Sequence, residues 1–593
     1  MRDPAPVPPT GLTARSGRGV VTLTWDRQEG AVGYQVYVAD EAEGPLRPLD
    51  HAGRDVLAVP HPPYADTTGT PGHPRWYAVT ALTDVSTQSE PSLRVVGTPS
   101  VDGPAGVRVD VDTAGSLGEL PRPWRPMIGS EHLSHALCRD ETAGHPIGRE
   151  LSAALAAAAR ELGVRHVRAH GILCDDLQVF REVDGQPQHD FSGVDRVYDH
   201  VLSLGLTPIV ELSFMPRDLA RDPSRTVFDY RAIVSPPKDW QRWHNLVRDF
   251  TAHLVDRYGR QAVRENWAFE VWNEPNLAVF WSGTSEEWFR LYDVSAAAVR
   301  AVDPHLRVGG PASAAAGWVA EFLTHTASSG APVDFVSTHT YGSPPLDLRP
   351  LLARHGRGAA PLWWTEWGVT PAHFNEVSDA VFAGVFLLQG MVSAMGRIEA
   401  LSYWVASDHF EELGRPTALL HGGFGLRTVG ELRKPRWWAL AMLERLGTTR
   451  LPVTAAGDGG GSLVNAVATR ADDGTVSVLV WNLTLDQTKA AGSPTLSRTV
   501  TVRVAGLAPG SSYDLTHLRL DATHSNIAAV WGRIRREGQD WPDEDQWPVL
   551  RAADRLAELH PQRGETADAN GSLTVAFDLP MPAASLLQLH PDR

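Results

Sequence analysis

The stretch "WAFEVWNEP" at residues 267–275 passes from apolar side chains into an Asn-Glu-Pro turn. Its first half predicts a buried β-strand, because it is short, rich in aromatic residues and bounded by proline. Side chains alternate along a strand, so Glu270, Trp272 and Glu274 are expected on the same side. A buried carboxylate is costly unless a cation pairs with it or a reaction uses it. We therefore expect the deeper Glu270 to be structural, paired with Arg168, and Glu274 to be chemically active.

Seven further apolar stretches accompany this one, and long amphipathic segments separate them. Two of these segments show helix-end signals: residues 149–163 end at a glycine, and residues 285–304 open with serine and acidic residues. Eight strand–helix repeats predict an α/β fold with a (β/α)₈ TIM barrel. An open doubly wound sheet also alternates, but it rarely needs eight strands and usually carries a phosphate-binding glycine loop, which this sequence lacks. The other seven predicted strands are residues 126–130, 164–171, 206–214, 307–313, 333–341, 362–368 and 400–408.

Both flanks of the predicted barrel have the two-residue period of β-strands instead. Residues 1–102 alternate apolar and polar side chains between Gly/Pro-rich turns, and their aromatic spacing resembles a fibronectin type III β-sandwich. We assign residues 103–450 to the barrel. Residues 451–593 predict a second β-sandwich, interrupted at residues 522–562 by a Trp-, Pro- and charge-rich insertion with a weak helical pattern.

The composition limits the classes of protein and partner. The chain has 593 residues, which predicts two to four domains. Its 54 basic and 70 acidic side chains give a formal charge of −16 without a basic stripe, so no nucleic-acid partner is expected. Two cysteines are too few for a disulfide framework or a zinc cluster. With no apolar run of about eighteen residues and no visible signal peptide, we expect a cytoplasmic protein without membrane association, as a monomer or a homo-oligomer.

Polar side chains stand where the predicted strands end, and in a barrel these ends carry the working residues. Glu274 follows the fourth strand and Glu366 the seventh, both beside tryptophans. Two carboxylates about 5–5.5 Å apart across a barrel mouth suit cleavage of a glycosidic bond with retention. The negative charge of one raises the pKa of the other, which keeps a proton available. The remaining polar strand ends are His170, Asn273, His339, Tyr341 and Asp408.

The motifs around these residues resemble a known family. "FEVWNEPNLAVFW" (269–281), with "HTYG", "TEW", "YWVASDHFEE" and "HGGFGL" downstream, is similar to glycoside hydrolase family 39, the family of β-xylosidases and α-L-iduronidases. The resemblance covers roughly residues 105–593. It implies a retaining glycosidase in which Glu274 is the acid/base and Glu366 the nucleophile. It also implies substrate contacts by His170, Asn273, His339, Tyr341, Trp404, Glu411 and Glu412, with Asn273 at the 2-hydroxyl and Tyr341 orienting Glu366.

The paired glutamates Glu411 and Glu412 bear on the sugar. A site with four acidic groups would repel a uronic acid, and Arg415 is the only obvious cation nearby. We therefore expect an exo-acting enzyme that removes a terminal neutral pentose, as a β-D-xylosidase does. The segment "WGVTP" (367–371), where xylosidase-like members have an Asn-Thr-Ser stretch, and the residues Ala406 and His409 in place of aromatic neighbours depart from the family pattern.

Several alternatives remain open on the sequence. An α-L-arabinofuranosidase or another arabinose-glycan hydrolase would use the same scaffold, as would an α-L-iduronidase. A non-catalytic carbohydrate-binding protein is a further alternative, although the presence of both Glu274 and Glu366 argues against it. A metal-dependent enzyme is not favoured, because no HExxH motif occurs and no carboxylate triplet spans consecutive strand ends. We expect no metal and no cofactor, and the expected partner is an oligosaccharide or glycoside substrate.

Overall fold

The computed structural model describes residues 6–51, 58–103 and 105–592. Its centre is a closed barrel of eight parallel strands, each hydrogen-bonded to its neighbours in chain order, and the eighth pairs with the first. The predicted TIM barrel is therefore confirmed. Its strands are Met127–Ser130, His166–Ala169, Thr207–Glu211, Ala268–Glu270, Val308–Ser313, Phe335–Tyr341, Leu362–Gly368 and Ala400–Tyr403.

Helices follow the strands and cover the outside of the barrel. The first ends at Gly163 in the left-handed region (φ 65°), as the sequence predicts. The helix Ser285–Val302 begins with a capping box between Thr284 and Glu287. Within the described ranges, none of the helices combines the length and the apolar content that a bilayer crossing requires. The helices from Ile147 to Glu444 are Ile147–Leu162, Ser192–Ser203, Trp240–Tyr258, Arg260–Asn266, Ser285–Val302, Val319–Ser329, Arg349–Arg354, Val381–Ala394 and Pro435–Glu444.

The fourth barrel strand is shorter than predicted. It ends at Glu270, after which Trp272 (φ 72°) and Glu274 (φ 42°) take up left-handed backbone. The expectation that strand alternation carries Glu270, Trp272 and Glu274 to one side is therefore wrong. Trp272 packs edge-on against Phe214, at 5.5 Å between ring centroids. The N–H of Glu274 donates to the carbonyl of Ala312 at 2.8 Å, which holds this turn against the fifth strand.

The N-terminal flank forms two antiparallel sheets, as expected for a β-sandwich. Its likeness to a fibronectin type III module stays a prediction. One sheet contains Thr13–Gly17, Val20–Thr24 and Tyr64–Asp66. The other contains Arg47–Pro48, Gly33–Ala39, Arg75–Asp84 and Thr87–Gln88, with the short strands Ala58–Val59 and Val95–Gly97 attached.

The C-terminal flank is a sandwich of a four-stranded and a six-stranded sheet, and it includes a strand from before the barrel. The strand Gly106–Asp112 falls within the range predicted for the barrel, but it pairs with Val453–Gly457 and Arg498–Ala505. The difference arises because its alternating valines are buried in the sandwich core. The three-part division therefore stays a proposal, with this strand as its exception. The remaining strands are Ser572–Leu579 in the smaller sheet and Thr449–Leu451, Val464–Arg470, Val476–Asn482, Ala583–Pro591, Ser512–Leu520 and Ala557–Thr566 in the larger.

The insertion at 522–562 contains two short helices, Ile527–Ile534 and Gln546–Ala553. Its apolar side chains form a separate small core with Leu419 and Leu432, which lie in the long loop after the eighth barrel strand. The insertion therefore supports a loop at the catalytic end of the barrel.

Candidate active site

A cavity of 790 Å³ opens at the carboxyl ends of the barrel strands. This volume is within the range of small-molecule sites. Two of the nine predicted site residues do not line it: His339 is fully buried behind Glu274, and Glu411 lies in the loop outside. The other seven do, namely His170, Asn273, Glu274, Tyr341, Glu366, Trp404 and Glu412.

Arg168, on the second strand, lies beneath the cavity and has no exposed side-chain surface. Its guanidinium pairs with Glu270 at 2.8 Å, Glu211 at 2.6 Å and Glu366 at 2.5 Å. It also donates to the side-chain carbonyl of Asn273 at 2.9 Å. Burial alone would lower the pKa of Arg168, but the three carboxylates raise it above its ordinary value. The guanidinium is therefore charged, and it fixes the positions of four side chains from three strands and one loop.

The predicted pairing of Glu270 with Arg168 is confirmed. The second oxygen of Glu270 accepts a hydrogen bond from the Thr365 hydroxyl at 2.9 Å. Glu270 has no exposed surface, and burial raises its pKa against the opposing charge of Arg168. Glu270 thus serves as a buried counter-ion and does not reach the cavity.

Both oxygens of Glu366 accept a hydrogen bond. One accepts from Arg168 at 2.5 Å and the other from the Tyr341 hydroxyl at 2.8 Å. Burial and the neighbouring carboxylates raise the pKa of Tyr341 well above its ordinary value, so its hydroxyl keeps the proton that it donates. These two donors hold the Glu366 carboxylate with one orientation toward the cavity, and Tyr341 has the orienting contact that we expected.

Glu274 faces Glu366 across the base of the cavity. An oxygen of each carboxyl group lies within 4.8 Å of the other, and Glu274 is only 8% exposed. Burial, and then the charge of Glu366, raise the pKa of Glu274 well above its ordinary value, while Arg168 acts in the opposite direction. These effects favour the protonated form of Glu274, next to a carboxylate that pairs with a guanidinium.

A hydrogen-bond chain behind Glu274 indicates which atoms carry the protons. Thr365 donates its only hydroxyl proton to Glu270, so its oxygen accepts from His339 Nε2 at 3.0 Å. Burial, followed by the charges of Arg168 and His170, lowers the pKa of His339 well below its ordinary value, so the imidazole is neutral. A neutral ring protonated at Nε2 has a lone pair at Nδ1. That atom lies 3.0 Å from Glu274, which must then be the donor and carry the proton.

Three further side chains present polar groups or a ring to the cavity. Asn273 accepts from Arg168 through its oxygen, and no described residue accepts a hydrogen bond from its Nδ2, which is left for a ligand. His170 is held at Nδ1 by Glu211 at 3.0 Å, while its Nε2 lies 3.5 Å from both Glu366 and Glu412. The ring of Trp404 lies 4.7 Å from the ring of His170, measured between their centroids.

Glu412 completes the polar lining. Its carboxyl group lies 3.1 Å from His373 Nε2, and burial together with nearby carboxylates raises its pKa well above the ordinary value. Burial also lowers the pKa of His373 to about 4, so both shifts favour the neutral forms of this pair. A neutral pair of this kind can donate to and accept from sugar hydroxyls.

The structure places Glu411, one of the predicted substrate contacts, outside the cavity, and it buries Asp408, a polar strand end, in an ion pair. Glu411 pairs with Arg415 at 2.9 Å, and Arg415 also pairs with Asp140 at 2.5 Å on the exposed face of the loop. Glu411 therefore does not line the cavity, contrary to the expected substrate contact. Asp408 is fully buried and pairs with Lys434 at 2.5 Å, so this strand end is structural.

Sequence reasoning missed three members of the network. Glu211 ends the third strand "LTPIVE", a strand end of the kind that marked the other site residues. Thr365 immediately precedes Glu366, but a threonine inside an apolar strand carries no separate signal. His373 lies in a loop, and only the fold brings it next to Glu412.

Among the residues that the structure describes, two groups of side chains have the spacing that a cation could bridge: Glu274 with His339 and Glu366, and His132 with Cys174 and Asp176. In the first group a guanidinium already contacts Glu366, and its charge would repel a metal ion. In the second, His132 Nε2 bonds the carbonyl of Gly171 at 2.9 Å, which leaves only Nδ1 as a ligand. The expectation of a metal-free site stays a prediction.

The pairing of Arg168 with three carboxylates generates a stability prediction. Arg168→Met keeps much of the side-chain volume but leaves three buried carboxylates without their cation, so it should lower the free energy of unfolding by about 3–5 kcal/mol. Urea denaturation at pH 7 measures this loss. The matched change Arg415→Met removes a 44% exposed partner and should cost about 0–1 kcal/mol. Equal losses in the two variants would contradict the central position of Arg168.

Comparison with known proteins agrees with this geometry. The profile of glycosyl hydrolases family 39 matches residues 107–563. A β-xylosidase of Geobacillus stearothermophilus is 35% identical over 401 residues, which cover 62% of this chain and 75% of the relative. A β-xylosidase of Caldicellulosiruptor saccharolyticus is 34% identical over 369 residues, 58% of this chain and 73% of the relative.

A solved structure is similar over a longer span. The crystal structure of a monomeric β-xylosidase from Caulobacter crescentus CB15 superposes with a TM-score of 0.70 at 30% identity, covering 82% of this chain and 100% of that one. The family profile matches well over half of the chain, and the barrel carries its carboxylates at the expected strand ends. The chain therefore belongs to glycosyl hydrolases family 39 and is a glycoside hydrolase.

Proposed function

We propose that this enzyme removes a terminal neutral pentose, as a β-D-xyloside, by a retaining double displacement. The observation that carries the proposal is the pair at the base of the cavity: two carboxyl groups with oxygens within 4.8 Å, one bonded by Arg168 and one protonated. Retaining glycosidases place their carboxyl groups about 5–5.5 Å apart, whereas inverting enzymes need about 6.5–9.5 Å to admit water. A pocket closed at its base also suits removal of a terminal sugar.

In the first step Glu366 attacks the anomeric carbon while Glu274 gives its proton to the glycosidic oxygen, so the leaving group departs as a neutral alcohol. The glycosyl–enzyme ester neutralises Glu366. Glu274, now ionised, takes a proton from water as that water attacks the same carbon and releases Glu366. Because Glu274 loses its proton only when Glu366 loses its charge, the two carboxyl groups exchange roles without adding a net charge to the buried site.

Three side chains position these reactants. Arg168 and Tyr341 hold the carboxylate of Glu366 before attack. Asn273, fixed by Arg168, offers its NH₂ group to the sugar 2-hydroxyl, where a hydrogen bond strengthens as positive charge develops on the ring.

The charge of the cavity supports a neutral sugar. Three carboxyl-bearing residues line it, Glu274, Glu366 and Glu412, and no lysine or arginine is among the described residues that do. Arg415, the one cation that the sequence suggested for a uronic acid, is bound in the exposed loop. The carboxylate of a uronate would find no cation to pair with among the described residues that line this cavity, which disfavours an α-L-iduronidase.

A panel of 4-nitrophenyl glycosides tests the proposal. We expect kcat/KM to be highest for the β-D-xyloside, lower for the α-L-arabinofuranoside and at least 100-fold lower for a glucuronide, because the cavity lacks a cation. Proton NMR of the first-formed product should show the β-anomer of xylose. A first-formed α-anomer would contradict the retaining mechanism, and preference for the arabinofuranoside would replace the proposed sugar.

Matched variants assign any activity to the two carboxyl groups. Glu274→Gln and Glu366→Gln should each lower kcat/KM by about 10²-fold or more, whereas the same change at the exposed Glu544 should leave it within twofold. Full activity of Glu366→Gln would contradict the proposal.

The chain from Thr365 to Glu274 predicts a pH effect. In Thr365→Val, His339 loses the acceptor for its Nε2 proton, so the tautomer protonated at Nδ1 becomes favoured and donates to the ionised form of Glu274. This lowers the pKa of Glu274, and the alkaline limb of kcat/KM should move to lower pH by about 0.7 of a pH unit, the equivalent of one hydrogen bond. Thr365→Ser keeps the hydroxyl and should keep the wild-type profile. An unmoved alkaline limb in Thr365→Val would show that the chain does not set the protonation of Glu274.

A further inference from the structure

The cavity has a second wall that the catalytic network does not use. Six described residues of the N-terminal module, the part of the chain before residue 104, line it together with the barrel loops: Gln35, Ala58, Leu82, Val85, Ser86 and Gln88. The family match begins at residue 107, so this wall lies outside the part of the chain that the family shares. The cavity therefore has an inner polar half made by the barrel and an outer half that the N-terminal module helps to build.

Specific contacts hold the module against the barrel. Arg354 donates to the carbonyl of Gly30 at 2.9 Å, and the N–H of Asp347 donates to the carbonyl of Val32 at 2.8 Å. Gly33 lies so close to Leu346 that a Cβ atom added there would stand 2.7 Å from the leucine side chain. Leu346 itself lines the cavity. The module is thus packed at the cavity mouth through the loop that follows the sixth barrel strand.

The outer half is apolar and open to solvent. Four large apolar side chains with high exposure line this one cavity: Val85 (41%), Leu277 (37%), Val279 (54%) and Leu413 (56%). Val85 belongs to the module and the other three to barrel loops. Exposed apolar side chains that converge on one cavity mark a binding surface, whereas the same residues scattered singly would not.

Some polar groups of the module wall already form hydrogen bonds within the protein. The Tyr37 hydroxyl lies 2.7 Å from the side-chain oxygen of Gln35 and 2.9 Å from that of Gln88, and Thr80 also donates to Gln88 at 3.0 Å. A second sugar would need free donors and acceptors for several hydroxyls on every side, and buried hydroxyls without partners are costly. An apolar leaving group needs no hydrogen-bond partners.

We propose that the group leaving on the far side of the cleaved bond is apolar, an alkyl, aryl or terpenoid aglycone, and that the N-terminal module forms part of its binding wall. The inference rests on the proposed function, because the leaving group is defined by where Glu274 and Glu366 cut. The substrate class is then a glycoside of a hydrophobic alcohol, and a second sugar of a xylan chain is the disfavoured occupant.

A series of n-alkyl β-D-xylosides, from methyl to octyl and below micelle-forming concentrations, tests this against xylobiose. The leaving alcohols differ little in reactivity, so the series reports burial of methylene groups. We expect kcat/KM to rise at least 30-fold from methyl to octyl. Complete burial would give roughly fourfold for each added methylene group, so a rise of this size corresponds to partial burial of the chain. Octyl xyloside should also exceed xylobiose.

Variants locate the wall. Val85→Asp and Val279→Asp should each reduce the octyl-to-methyl ratio of kcat/KM at least fivefold, whereas Val183→Asp, the same change at a 42% exposed valine outside the cavity, should leave it unchanged. Thermal melting of the three variants controls for folding. If xylobiose is cleaved and kcat/KM does not change with alkyl chain length, this inference alone is overturned. Absence of turnover on every glycoside, alkyl, aryl and disaccharide, would overturn the proposed function and this inference with it.

Discussion

One guanidinium between three carboxylates determines the arrangement of this site. Arg168 is fully buried, and each of Glu211, Glu270 and Glu366 lies within hydrogen-bond distance of it. Charges without water are stable only when their partners are close and well aligned, so each of these side chains has one favourable position. The cation also holds Asn273. The barrel strands bring these residues together, and the ion network fixes their side chains.

The same network separates two carboxyl groups of similar chemistry. Glu366 contacts the guanidinium, whereas Glu274 does not and instead meets a neutral imidazole. The ionised partner opposes a second negative charge nearby, so the proton stays on Glu274. The inner half of the cavity thus carries the two reacting carboxyl groups. The outer half, with the N-terminal module as one wall, provides contact area for the leaving group.

The sequence was sufficient for the barrel, for both flanking β-regions and for the pairing of Glu270 with Arg168, because these follow from local periodicity and from the cost of an unpaired buried charge. It was not sufficient where packing between distant segments decides. The strand Gly106–Asp112 falls within the range predicted for the barrel but pairs with the C-terminal sheet. Glu274 reaches the cavity through a left-handed turn that strand alternation does not describe.

Other features depend on contacts that only the fold reveals. Glu411 and Glu412 are adjacent in the chain, yet one pairs with an exposed arginine and the other lines the cavity. The part of Thr365 in the hydrogen-bond chain, and the position of the N-terminal module beside the active site, follow from three-dimensional contacts that no local pattern encodes.

Glu274 holds its proton because it is buried beside the charge of Glu366. Carbon-13 NMR titration of the glutamate carboxyl groups, with Glu274 assigned by Glu274→Gln, measures this directly. We expect Glu274 to titrate well above the ordinary value of about 4.3 in the wild type, and at a lower pKa in Glu366→Gln, where the neighbouring charge is gone. A Glu274 carboxyl that titrates near its ordinary value in both proteins would contradict it.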